Sequence, residues 1–155
     1  MKNFRCSPKS VAAAVVLALL AVIPRVDATA PAGRYTVASG TVYDTMTKLT
    51  WQQTVSTTQY TWSDAQSYCA SLNLAGTGWR VPSVKELMTL VDFSVAPGSG
   101  PATIDATAFP NAPANWFWSS TLLAGISSLA WDVDFLIGYT NNGFVSGHNI
   151  VRCVR

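Results

Sequence analysis

Ser83, Lys85 and Glu86 fall within four positions of one another in the stretch GTGWRVPSVKEL, residues 76 to 87. A hydroxyl, an amine and a carboxylate at that spacing could make a nucleophilic site. Activating a serine requires a base within hydrogen-bond reach, and the sole histidine, His148, has no sequence link to Ser83. The same residues also start a helix. Ser83 with Glu86 three positions later, ahead of Val84, Leu87, Met88 and Val91 at helical spacing, is a capping box. Pro82 biases Val81 toward extended geometry. The stretch therefore reads as a corner of the fold, and no catalytic residue is assigned. A second group is Asp132 and Asp134 in LAWDVDF. Two carboxylates on one strand face could approach a hard cation, but calcium takes about six to eight oxygens, so no metal site is assigned. Tyr139, Asn141 and Asn142 offer aromatic and amide groups for recognition, with Asp132, Asp134 and His148 as possible neighbours. These six are the candidate ligand-binding residues. The competing reading of each is a turn residue or a solvated strand face.

The elements that would position these groups follow from period and punctuation. Tyr35 and Val37, then Val42, then Leu49 and Trp51, are separated by Ser39-Gly40 and by residues 45 to 48, which predicts short strands. In TWSDAQSYCASLN the period changes. Ala65, Tyr68, Cys69 and Leu72 share one helical face, and Ser63 with Gln66 suggests a second capping box. Residues 94 to 115 carry Pro97, Pro101, Pro110 and Pro113 without a sustained period, so a long ordered loop is expected. Trp116 and Trp118 share one face of a strand. Trp131, Val133 and Phe135 alternate with Asp132 and Asp134, predicting a strand with one face buried and one wet. Asn141-Asn142-Gly143 is a hairpin-turn signal, and FVSGHNIVRCVR reads as one or two further strands.

Bulk composition excludes several function classes once the start of the chain is set aside. Lys2, Arg5 and Lys9 precede the apolar run VAAAVVLALLAVI, residues 11 to 23. That run is short for a hydrocarbon core of about 30 Å but suits a signal peptide. Of the cleavage sites after Ala28 and Ala30, the first is preferred because Pro31 would hinder the second. Residues 1–28 are thus expected to be a cleaved signal peptide, leaving no membrane anchor and an exported, periplasmic or extracellular chain. Residues 29–39 then form a short N-terminal segment. Past Ala28 there are six basic and seven acidic residues, so the chain lacks the basic excess that binds phosphates, and nucleic acid is a poor partner. Of the three cysteines, Cys69 and Cys153 would remain after cleavage. An even pair in an oxidising compartment suggests a disulfide, a lone reactive thiol being the alternative. No cofactor is implied.

In order along the chain, DTMTKLTWQQ, WSDAQSYC, GWRVPSVKELMTLVD, IDATAFPN, WFWSST, AWDVDF and VRCVR resemble a bacterial domain family, much of it of unknown function. It is named for the C-terminal domain of the Legionella collagen-like adhesin. The likeness runs from about Gly40 to Arg155, and Lys48 departs from it, standing where the family tends to have glycine before LTW. The order of elements is also similar to the C-type lectin-like fold. That resemblance implies an α+β domain, two helices against a small twisted antiparallel sheet, with its end regions closed into a loop by a disulfide between Cys69 and Cys153. It also argues against calcium. Trp131-Asp132-Val133 stands in place of the chelating Trp-Asn-Asp triplet, and Phe109-Pro110-Asn111 precedes the tryptophan strand where the second triplet should follow it. A catalytic relative, the formylglycine-generating group, needs cysteines beyond the structural pair. The expectation is an exported, non-enzymatic, calcium-independent module that binds a glycan or a protein surface in adhesion. A scaffold component of the envelope is the alternative.

Overall fold

The computed structural model describes residues 30–155, and the expected signal peptide lies outside the described residues. Strands β1 (Tyr35–Ala38), β2 (Thr41–Asp44) and β3 (Thr50–Gln52) form one antiparallel sheet in that order. Helices α1 (Trp62–Ser71) and α2 (Val84–Met88) follow. After a long irregular stretch come β4 (Trp116–Leu123), β5 (Ile126–Asp134) and β6 (Tyr139–Phe144), a second antiparallel sheet with β5 in the centre. The class is α+β, with the strands divided between two three-stranded sheets. No helix among the described residues is long and apolar enough to cross a membrane.

The Ser83–Glu86 capping box forms as its spacing predicts. Glu86 N–H donates to Ser83 Oγ, and Ser83 N–H donates to Glu86 Oε2 at 2.8 Å. Glu86 also takes two hydrogen bonds from Arg80, at 2.6 and 2.8 Å, and these hold its carboxyl down at about 2. The helix stops at Met88, so Val91 reaches the core from a following tight turn in which its N–H bonds to Met88 C=O. The first helix starts elsewhere than expected. Thr61 caps it by accepting from Asp64 N–H, and Asp64 Oδ2 accepts in turn from Thr61 Oγ at 2.7 Å. Tertiary contacts decide this: Trp62 donates its backbone N–H to Val145 C=O and its Nε1 to Ser119 C=O, fixing the chain at 62.

The residues after Asn149 join the two sheets. Thr50 and Arg155 exchange backbone bonds at 2.8 and 2.9 Å, as do Arg80 and Val154, while Ile150 bonds to Trp116 and Trp118 on β4. The closing stretch thus forms isolated bridges, and the further strands expected of it are reduced to these because it serves several neighbours in turn. Cys69 and Cys153 are bonded, with 5.5 Å between their Cα atoms. Alternate residues of this segment enter two cores. Ile150 and Val154 pack with Trp51, Leu87, Phe109, Phe117 and Val133, and Val151 and Cys153 with Cys69, Trp79, Val81 and Trp118. Arg152, 1% exposed, donates Nη1 to Gln52 C=O and Gln53 C=O and lies 4.6 Å over the Phe109 ring.

The sheet β4-β5-β6 is covered on both faces, with α1 and the disulfide on one side and α2 on the other. This overturns the reading of Asp132 and Asp134 as solvated: they are 4% and 5% exposed. The alternation assumed a wet face, but the segment around Tyr60 and the one around Asn149 pair with each other across it. The hairpin turn also moves. Asn141, Asn142 and Gly143 lie inside β6, and the reversal falls at residues 135 to 138. There Leu136 N–H donates to Asp134 Oδ1, and Gly138 takes a φ of 77° that suits a residue without Cβ.

Candidate functional site

Opposed residues of an antiparallel pair share a face, so the register of β4, β5 and β6 builds the site row by row. Trp116, Asp134 and Tyr139 form one row, and Trp118, Asp132 and Asn141 the next, followed by Ala130 and Gly143. The rings of Trp116 and Tyr139 meet edge to face at 5.4 Å, and both remain partly exposed. Four of the six candidates, Asp132, Asp134, Tyr139 and Asn141, thus stand together. Asn142 does not, because it is opposite Trp131 on the other face. His148 is exposed, and its neighbour Asn149 makes the contact: Nδ2 donates to Asp132 Oδ2 at 2.9 Å.

The two aspartates have different roles. Asp134 is used by the turn through its bonds to Leu136 and Gly138. Asp132 is not used up. Its Oδ1 is buried and has no hydrogen-bond partner among the described residues. Burial pushes its carboxyl up to about 6; the Asn149 amide opposes this, and Asp134 adds to it. Gly143 packs closely here, since a Cβ there would lie 3.2 Å from both Asp132 Oδ2 and Trp118 Cη2. Asn149 is held by reciprocal backbone bonds with Tyr60, whose carbonyl also accepts from Trp118 Nε1 at 2.8 Å. Sequence reading missed Tyr60, Gly143 and Asn149, because the cross-chain pairing of 60 with 149 brings Asn149 to Asp132 and the β5–β6 register brings Gly143 there. Among the described residues, no three Asp, Glu, His or Cys side chains converge as a metal centre would need.

The model of the Lcl C-terminal domain matches residues 40–155. The chain belongs to this family. No curated protein matches it. In this Lcl C-terminal domain the recognisable motifs are largely structural. Asp44 of DTMTKLTW is fully buried, accepts two bonds from Arg34 and one from Met46 N–H, and so fixes the turn that follows. Lys48 closes that turn at a φ of 63°, a left-handed geometry in which glycine carries no Cβ penalty. The AWDVDF motif of the Lcl C-terminal domain holds the candidate Asp132.

Proposed function

We propose that this Lcl C-terminal domain is an exported, non-enzymatic binding module whose site is the Asp132 face, and that it takes a hydroxyl-rich ligand such as a glycan without calcium. The observation that carries this is the partly exposed Trp116 and the exposed Tyr139 and Asn141 beside the buried Asp132 carboxylate, whose Oδ1 has no hydrogen-bond partner among the described residues. Ligand hydroxyls donate to a carboxylate, while ring faces take the apolar side of a sugar. The disulfide supports an oxidising compartment. Polyanions fit poorly, because Arg152 is buried, Arg80 is paired with Glu86 and Arg155 lies over Trp79.

A glycan and matrix-protein array probed with the purified chain tests this. The expected result is binding that persists in EDTA and falls about tenfold or more in Asp132→Asn, the loss of one charged hydrogen-bond acceptor. Heparin binding at physiological salt should be weak. Loss of all signal in EDTA, or full binding by Asp132→Asn, would overturn the reading.

A further inference from the structure

Among the described residues, the outer edge of β6 has no strand partner. β6 is the last strand of its sheet, and Val145 N–H donates to Ser128 C=O. Antiparallel alternation then directs the backbone groups of Tyr139, Asn141 and Gly143 toward β5 and those of Thr140 and Asn142 outward. Proteins usually blunt such an edge with lysine, proline or a bulge. From Leu136 to Gly147 there is no charge and no proline, and the β5–β6 register is unbroken. The side chains of Thr140 and Asn142 lie on the α2 side of the sheet, opposite to the Asp132 face. There a groove of about 420 Å³ runs between Val84, Lys85 and Met88 of α2 and Trp131 and Thr140 of the sheet. Lys85 is exposed and takes part in neither ion pair of the described residues.

We propose that β6 accepts an extended segment of another protein as an added strand, bonded to the backbone of Thr140 and Asn142. Alternate side chains of that segment lie along the groove, an apolar one against Met88 and Trp131 and an acidic one at Lys85. Main-chain bonds supply affinity in this mode of recognition, and alternate side chains supply specificity. A second copy of the chain is the poorer occupant, since its own edge, YTNNGF, has no acid to offer Lys85.

The test uses labelled peptides of alternating valine and threonine with a single aspartate scanned through each position, read by fluorescence anisotropy and by amide shifts. Saturable binding that perturbs the amides of Thr140 and Asn142 is expected. N-methylation of the peptide backbone should weaken it about tenfold or more, a control that leaves the protein untouched. Lys85→Glu should abolish the preference for aspartate, and Asp132→Asn should leave peptide binding unchanged, which separates this edge from the proposed glycan face. Absence of binding across the scan, indifference to N-methylation, or sedimentation as a dimer paired through β6 would overturn the proposal.

Discussion

Asp132 holds its proton more tightly in the folded chain than in the unfolded one, because burial outweighs the hydrogen bond from Asn149. The direction of the pH effect follows. Between the ordinary value of 3.8 and about 6, the folded state keeps a proton that the unfolded state has lost, so stability falls as pH rises through that window and stays lower above it. That difference lowers stability by roughly 3 kcal/mol at neutral pH. Asp132→Asn should therefore raise the melting temperature at pH 8 and leave it nearly unchanged below pH 4, measured against the parent at each pH. Equal effects at both would show that the carboxylate is not the source. A variant that gains stability while losing ligand binding would mark Asp132 as a residue kept for recognition.

Capping makes an equally sharp contrast between the two helix starts. Ser83→Ala should cost about 1 kcal/mol and Thr61→Ala a similar amount, whereas Ser63→Ala should stay within about 0.5 kcal/mol, read by urea denaturation. The reverse order for Thr61 and Ser63 would contradict the observed cap. Both pairs looked alike in the sequence, and the difference shows what was legible there. Ser83 and Glu86 were readable because a capping box is closed by residues three apart, and the added Arg80 bonds only reinforce it. Ser63 and Gln66 satisfied the same pattern but lost to Thr61 and Asp64 because distant residues, Val145 and Ser119, anchor Trp62. The β5–β6 turn was hidden for a related reason. Its signals, Asp134 and Gly138, are separated by the apolar Phe135, Leu136 and Ile137, the first of which reads as strand, while Asn141 to Gly143 advertised a turn that the sheet register overrides. Burial of Asp132 was beyond local pattern altogether, since it depends on residues 60 and 149 meeting across the sheet.

At the scale of the molecule, one covalent link and one segment determine how the parts stay together. The Cys69–Cys153 bond closes a loop of 84 positions, for which the chain-entropy model gives about 4.5 kcal/mol. Cys69→Ser and Cys153→Ser should lower stability by similar amounts, since either opens the same loop, and thiol titration of the unfolded, non-reduced protein should find no free cysteine from this pair. Unequal losses would point to packing at one end as the larger effect. The segment around Cys153 also bears on how the chain folds. Residues 149 to 155 make backbone bonds to residues near 50, 60, 80 and 117, so β3, the Trp79–Val81 stretch, the Tyr60 segment and β4 all wait for the same partner. Non-local pairing of this kind is slow to form. Until residues 149 to 155 dock, Thr50, Gln52, Tyr60, Arg80 and the start of β4 lack these backbone partners, and Asp132 lacks Asn149. Docking of this one short segment is therefore the step that locks the two sheets to each other, and the parts it joins stay separable until it is in place.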